Sequence, residues 1–219
     1  FSTRDIIKAI EEIKPNAASG PDEIPVTLLK NCKGALAIPI HLLWSKSFEA
    51  EVVPSFYKYS HVFPLHKKDS KALPANYRPI SLTSHIIKIF ERVVRKKLVD
   101  YLELNNLICS KQHGFRSGRS CLTQLLHHMD DVLEALTNNC DFDSIYLDYA
   151  KAFDKVDHKL LIRKLHLYRI HPKIINWIKS FLDDRKQSVV VDGKLSIIAL
   201  IISGVPQGTV LGPILFLIF

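Results

Sequence analysis

The chain has 219 residues, of which 47% are hydrophobic and 24% are charged, a balance that is typical of a folded domain and excludes a disordered tail. Lys and Arg together number 30 against 22 Asp and Glu, which gives a formal net charge of +8. No apolar run approaches the ~18 residues that a membrane-spanning helix needs, so we expect no membrane partner. The chain begins without Met and stops inside an apolar run, so we expect it to be a segment of a longer protein.

The first part of the chain is predicted to be rich in helices. Apolar residues at helical spacing predict helices over residues 3–14, 39–50, 84–104 and 120–138, with a strand over 57–65 and a polar loop over 67–76. Ser84 is a suitable N-cap for the third helix. In the fourth helix we expect one stripe of apolar side chains to face the core: Leu122, Leu125, Leu126, Met129, Leu133 and Leu136.

The pattern changes after residue 140. Residues 143–149 are short and β-prone and predict a strand, and Asp192-Gly193 between two β-prone runs, 186–191 and 195–202, is the strongest hairpin signal in the chain. Helices are predicted over 153–165, over 172–182 and from about 209 onward. Helices followed by hairpins predict an α+β protein in which a helix-rich part precedes a small antiparallel sheet.

The positive charge is concentrated in one segment. Residues 58–97 contain ten basic residues against two acidic ones, so they account for the whole excess. A smaller cluster, Lys111, Arg116 and Arg119, lies among glycines. Concentrated Lys and Arg attract phosphate and release its counterions, so we favour contact with nucleic acid or nucleotides over the alternative of a solvated basic helix face.

Several common types of site are not indicated. Four cysteines, Cys32, Cys109, Cys121 and Cys140, lie far apart without a C-x-x-C pair, which favours reduced, buried thiols in an intracellular protein over disulfides or zinc. The sequence contains no P-loop, no Rossmann glycine motif and no G-x-S-x-G motif.

Three places in the chain carry residues suited to chemistry. Asp148 ends a predicted strand, and a carboxylate on a rigid strand end suits a hard cation such as Mg²⁺, although a turn or helix cap is the alternative. Lys67, Lys68 and Arg78 offer point charges and one planar fork for a polyphosphate. The glycines of the segment 204–208 allow close backbone approach by a ligand, or serve a simple strand-to-helix loop.

Six blocks of the sequence, read in order, resemble the reverse transcriptases of non-LTR retrotransposons, particularly the jockey-like LINE elements. The blocks are KPNAASGPDEIP (14–25), FPLHKKD (63–69), NYRPISLTS (76–84), QHGFRSGRS (112–120), YLDYAKAFDKVDH (146–158) and GVPQGTVLGP (204–213). This resemblance implies a right-hand polymerase fold. Residues 1–140 would hold an N-terminal extension and a fingers-like region, and residues 141–219 an incomplete palm.

The resemblance also implies roles for individual residues. Asp148 would be catalytic and, with the backbone carbonyl of Tyr149, would bind Mg²⁺, or Mn²⁺ in its place. Lys67 and Arg78 would hold the triphosphate of the incoming dNTP, and Phe153 would exclude a ribose 2′-hydroxyl, with plain core packing as its alternative. Further dNTP contacts would come from Tyr149, Ala152, Gln207 and Gly208. Contacts to nucleic acid would come from Lys68, Lys71, Arg116 and Arg119.

The family's next motif, an aromatic-Ala-Asp-Asp turn with the other metal carboxylates, does not occur in these residues. We therefore expect an RNA-directed DNA polymerase fragment that is inactive by itself. Its partners would be an RNA template, a DNA primer and dNTPs, in a ribonucleoprotein of the nucleus or cytoplasm. Two alternatives remain: a non-catalytic nucleic-acid-binding or scaffold module derived from a reverse transcriptase, and an intron-encoded maturase, which fits the blocks at 76–84 and 112–120 less well.

Overall fold

The computed structural model describes residues 1–219, which form eight α-helices and five β-strands. The helices are α1 (Thr3–Glu11), α2 (Val26–Asn31), α3 (Lys33–Glu49), α4 (His85–Leu104), α5 (Cys121–Thr137), α6 (His158–Leu167), α7 (Pro172–Leu182) and α8 (Gly212–Ile218). The strands are β1 (Tyr59–His66), β2 (Tyr77–Leu82), β3 (Arg185–Val191), β4 (Lys194–Leu195) and β5 (Ala199–Ile201). The predicted α+β class is confirmed, but the predicted small antiparallel sheet after the helix-rich part is wrong. The sheet is mixed and also includes β1 and β2, because β1 pairs parallel with β3.

One mixed sheet joins strands from distant parts of the chain. β1 pairs antiparallel with β2, with Leu65 opposite Arg78, and parallel with β3, with Tyr59 beside Lys186. β4 and β5 each pair antiparallel with β3. Because β1 lies between β2 and β3, the basic β1–β2 hairpin and the hairpin at Asp192-Gly193 belong to one sheet.

A single hydrophobic core of 31 residues runs from Ile6 in α1 to Ile218 in α8. At its centre Trp44 stacks on Phe90 with ring centroids 5.1 Å apart, and Trp177 meets Phe90 edge-on at 5.0 Å. Fully burying a large apolar side chain contributes roughly 1.5–3 kcal/mol. These aromatic contacts therefore hold α3, α4 and α7 together at the centre of the core.

Local signals in the sequence set most of the helix boundaries. Ser84 caps α4 by accepting a hydrogen bond from the Ile86 N–H at 3.0 Å, as predicted. Ser120 begins α5 with a capping box, and Asp157 caps α6 through the Leu160 N–H at 2.8 Å. The predicted helices at 3–14, 84–104, 120–138 and 172–182 and the strand at 57–65 are confirmed within a few residues.

Two predictions are wrong: the strand over residues 143–149 and the burial of the apolar stripe of α5. Residues 143–149 form no strand, and Ile145, Tyr146 and Leu147 are 82–84% exposed, because no neighbouring strand pairs with them. The apolar stripe of α5 is 49–64% exposed rather than buried. An amphipathic pattern predicts a helix but does not say what covers it.

Other differences concern local structure. β2 was not predicted, and it is an edge strand, a position where Pro79 is tolerated. α2 was missed, and α3 begins at Lys33, so Pro39 lies inside that helix instead of at its start. The segment predicted as a helix over 153–165 begins with a 3-10 turn at Phe153–Lys155, and α6 starts only at His158.

The four cysteines form no disulfide, but all four are exposed, so their predicted burial is wrong. Cys32 and Cys121 lie at helix ends and Cys140 just beyond α5, where the chain is at the surface. None of the eight helices combines the length and the apolar character that crossing a membrane would require.

Candidate active site

A cavity of about 770 Å³ lies between the β1–β2 hairpin and the segment that precedes α6. This volume is in the range of ligand-binding pockets, which are roughly 300–1,000 Å³. Apolar residues of the sheet, among them Val62 and Val189, line one part of it. Six of the residues predicted for the site line the cavity together: Lys67, Lys71, Arg78, Ala152, Phe153 and Gln207.

The basic side of the cavity is carried by one short hairpin. The Lys67 N–H donates to the Asn76 carbonyl at 2.9 Å and closes the hairpin between β1 and β2. The Tyr77 hydroxyl donates to the Lys71 carbonyl at 2.8 Å, which fixes the connecting loop. Lys67, Lys71 and Arg78 are exposed and form no ion pair. Their charges are therefore available to an anionic ligand.

The opposite side of the cavity is formed by Ala152 and Phe153 at the 3-10 turn. The Phe153 ring is half-buried and stacks on Phe216 of α8, with centroids 4.7 Å apart and planes inclined by 17°. Lys151 and Asp154 line the same side. No role at this cavity was predicted for Lys151. Its position in the 146–158 block, next to Ala152 and Phe153, is the feature of the sequence that could have indicated one.

The loop of residues 203–211, which carries Gln207, is hydrogen-bonded to the Phe153 turn. The Gly204 N–H donates to the Val156 carbonyl and the Val205 N–H to the Phe153 carbonyl, both at 2.8 Å. Gly204 has a φ of +86°, and a Cβ there would lie 2.8 Å from backbone atoms of the turn. Only glycine allows this close approach.

The same loop is also hydrogen-bonded to β2, on the basic side of the cavity. The Ser81 N–H donates to the Gln207 carbonyl at 2.7 Å. Gly208 has a φ of +116°, and a Cβ there would lie 2.5 Å from the Ser81 carbonyl oxygen. Gly208 does not line the cavity, but it lets the loop lie against β2 and so supports the position of Gln207.

A buried carboxylate, not foreseen from the sequence, holds the end of this loop. Glu91 of α4 is fully buried, and its Oε2 accepts hydrogen bonds from the Val210 and Leu211 N–H groups at 2.7 and 2.9 Å. Burial raises the pKa of Glu91, and the nearby Arg185 charge opposes that shift. The feature of the sequence that could have indicated this role is an acidic residue on the apolar face of α4.

Arg185, at the start of β3, is the buried counter-charge. It is 1% exposed, and its Nη1 donates to the Phe181 carbonyl at 3.3 Å. Burial lowers the pKa of Arg185 to about 10. Its Nε and Nη2 atoms and the Glu91 Oε1 atom have no hydrogen-bond partner, and the two side chains form no ion pair within 4.0 Å. The carboxylate therefore offsets the buried Arg185 charge through space rather than by direct contact.

The predicted metal ligands do not complete a metal site. Asp148 and Tyr149 are exposed and do not line the cavity. No group of three or more His, Cys, Asp or Glu side chains is placed to hold a metal ion. Hard cations need several oxygen donors, so one carboxylate and one carbonyl do not fit a two-metal centre, and we derive no metal-dependent step from these residues.

The remaining predicted nucleic-acid contacts lie outside the cavity. Lys68 is exposed beside it. Arg116 forms a bidentate pair with Glu103, with nitrogen–oxygen distances of 2.9 and 2.5 Å, and its Nη1 donates to the Cys109 carbonyl at 2.9 Å. Arg119 Nη1 lies 3.4 Å from His113 Nε2. The guanidinium of Arg116 therefore holds its own loop in this structure.

The sequence of this region matches a known family. Residues 65–219 match the family described as reverse transcriptase (RNA-dependent DNA polymerase). They contain every residue that lines the cavity apart from Val62 and Pro64. The chain belongs to this family, which confirms the resemblance. Reverse transcriptases in general use divalent metal ions.

Similar proteins come from non-LTR retrotransposons. The chain is 30% identical over 216 residues to the probable RNA-directed DNA polymerase from transposon BS of Drosophila melanogaster, covering 98% of the chain and 24% of that relative. It is 30% identical over 216 residues to the RNA-directed DNA polymerase from mobile element jockey of Drosophila funebris, with the same coverage. The chain thus spans about a quarter of the length of these relatives.

Proposed function

We propose that this chain is the nucleotide-binding part of an RNA-directed DNA polymerase and that the cavity receives the incoming dNTP. The observation that carries this proposal is the convergence of Lys67, Lys71 and Arg78 on one cavity with Phe153 and Gln207. Lys67, Arg78, Phe153 and Gln207 come from four separated blocks of the sequence, and Lys71 lies between the first two of these blocks. The fold brings all five to one cavity.

The chemistry of the cavity suits a nucleoside triphosphate. The planar fork of Arg78 can bind two phosphate oxygens at once, and the lysines add point charges. On the other side, Phe153 offers an apolar ring to the sugar, and the small Ala152 leaves room beside it. Gln207 and the backbone of its loop would then pack under the nucleotide and the template.

The proposal includes an assignment of regions. Residues 1–140 would supply a fingers-like lobe, whose β1–β2 hairpin carries the cations, and residues 141–219 part of a palm. An RNA template, a DNA primer and dNTPs would be the partners, in a ribonucleoprotein of the nucleus or cytoplasm. Asp148 remains a predicted catalytic residue with Mg²⁺ or Mn²⁺. Because residues 1–219 lack a complete set of metal ligands, we expect this chain alone to show no primer extension.

Binding of dTTP to the chain, measured by equilibrium dialysis with Mg²⁺, tests the proposal. Charge-assisted hydrogen bonds contribute roughly 1.5–3 kcal/mol, so we expect Arg78→Ala to raise the Kd for dTTP about ten- to hundredfold. The matched control is Arg163→Ala, since Arg163 is exposed on α6 and away from the cavity. Equal effects of the two substitutions, or no binding of dTTP by the wild type, would contradict the proposal.

A second candidate function is a non-catalytic nucleic-acid-binding module derived from a reverse transcriptase. The exposed basic residues of the β1–β2 hairpin favour it, because such a cluster attracts a nucleic-acid backbone without any catalytic step: Lys67, Lys68, Lys71 and Arg78. Such a module would bind an RNA–DNA hybrid with strong salt dependence and would show no dependence on dNTPs. Gel-shift titrations with and without the templated dNTP separate the two functions, because only a polymerase site should bind the hybrid more tightly when that dNTP is present.

A further inference from the structure

Two aromatic rings hold the Phe153 ring in place. Phe216 stacks on it with centroids 4.7 Å apart, and Phe115 approaches it at 6.2 Å with planes inclined by 75°. Phe115 is 50% exposed and lies in a surface loop, so its contact is the weaker of the two. The Phe216 stack is therefore the main constraint on the orientation of the ring.

We propose that Phe216 is a specificity-determining positioning residue, which holds the Phe153 ring against the cavity and so sets how strictly a ribose 2′-hydroxyl is excluded. This inference rests on the proposed function of the cavity and names a residue that does not itself line it. The competing substrate that it discriminates against is a ribonucleoside triphosphate.

The support for the Phe216 ring is rigid. Its neighbours on α8, Ile214, Leu215 and Ile218, are buried in the hydrophobic core. The helix is also tied to the preceding loop through the Gly212 N–H, which donates to Thr209 Oγ1 at 3.2 Å. Phe216 itself is half-buried, and it packs against the same core while its ring stacks on Phe153.

The backbone contacts of Phe153 do not replace this stack. The Val205 N–H donates a hydrogen bond to the Phe153 carbonyl and fixes the main chain there. The Phe153 side chain can still rotate about its own torsions. An apolar ring rejects a hydroxyl only if it cannot move aside, since a displaced ring would make room for the hydroxyl and for water. Removing Phe216 would open space on the face of Phe153 that points away from the cavity.

The test uses the full-length protein with Mg²⁺, a poly(rC) template and an oligo(dG) primer, and compares kcat/KM for dGTP and GTP. We expect Phe216→Ala to reduce the preference for dGTP about three- to tenfold, through higher use of GTP, with kcat/KM for dGTP changed less than twofold. Phe216→Tyr keeps the stack and should retain the wild-type preference. Phe219→Ala is the matched control, because the Phe219 ring faces Lys164 and makes no ring contact with Phe153.

Two further variants keep the outcome decisive. Phe216→Leu fills most of the volume without a flat ring, and it should show an intermediate loss of preference even if the alanine variant does not fold. Phe153→Val tests the underlying function by itself. If Phe153→Val admits GTP while the Phe216 variants keep the wild-type preference, the inference on Phe216 is overturned; if Phe153→Val also keeps it, the sugar-excluding role of Phe153 fails as well.

Discussion

The Glu91→Ala substitution is expected to destabilise the chain more than most single changes. It removes the acceptor of two backbone N–H groups, those of Val210 and Leu211, which lie just before α8. It also leaves the buried guanidinium of Arg185 without its counter-charge. The first loss occurs at the end of the loop with Gln207, so stability and the shape of the cavity should change together.

The magnitude follows from the two contacts. A buried N–H left without an acceptor costs ~1–3 kcal/mol, and an unpaired buried charge costs ~3–5 kcal/mol. The two penalties overlap because one carboxylate serves both, so we expect a loss of about 4 kcal/mol in the free energy of unfolding. For a chain of this size that corresponds to a fall in Tm of roughly 10 °C.

Urea unfolding followed by tryptophan fluorescence measures this loss, since Trp44 and Trp177 are both fully buried. The matched control is Glu12→Ala: Glu12 pairs with Arg92 at 3.7 Å, but its side chain is 67% exposed, so that pair should contribute less than about 1 kcal/mol. Hydrogen exchange should also show faster exchange at Val210 and Leu211.

The double variant Glu91→Gln with Arg185→Met removes both charges and should recover much of the stability.

The reasoning would be refuted by a loss in Glu91→Ala no larger than that in Glu12→Ala. It would equally be refuted if the Val210 and Leu211 amides kept their protection from exchange, because the loop would then be held by other contacts.

Two further predictions concern the same region. Burial raises the pKa of Glu91 above its ordinary value of 4.5. The folded chain therefore binds a proton at the Glu91 carboxylate more tightly than the unfolded chain does. The stability that Glu91 contributes should then fall as the pH rises above 4.5. Tm series for the wild type and Glu91→Gln should therefore show the wild type losing stability relative to Glu91→Gln as the pH rises above about 4.5. Parallel series would contradict this. Gly208→Ala should lower the Tm by several degrees and weaken dTTP binding, since its Cβ would lie 2.5 Å from the Ser81 carbonyl oxygen at a φ of +116°. The control is Gly34→Ala, in which the added Cβ would meet open space. An unchanged Tm of Gly208→Ala in thermal melting would contradict the prediction, because the loop would then relax without strain.

Much of the fold could be predicted because its signals are local. The cap at Ser84, the Asp192-Gly193 turn and the helical spacing of α4 depend on residues close in sequence, and the structure confirms them. The residues around the cavity were predicted from the resemblance of separate blocks, and the structure brings Lys67, Arg78 and Phe153 to one place. Their roles remain proposals.

The features that were missed depend on contacts between distant residues. The acceptor role of Glu91 needs Leu211, which lies 120 residues further along the chain, and no local pattern predicts that pairing. Residues 143–149 have the composition of a strand, but a strand forms only where another strand supplies its hydrogen bonds. The stripe on α5 was predicted as a pattern, while its exposure depends on neighbours that the pattern does not contain.

The parallel pairing of β1 with β3 also bears on how the chain folds during synthesis. The Ser60 hydroxyl donates to the Lys186 carbonyl across this pairing, over a separation of 126 residues. The partner strand β3 begins 103 residues after β2 ends at Leu82, so at translation rates of about 5–20 residues per second the nascent β1–β2 hairpin would wait roughly 5–20 seconds. During that interval the inner edge of β1 has unpaired backbone groups, so the ribosome-bound intermediate would be a natural client for chaperones.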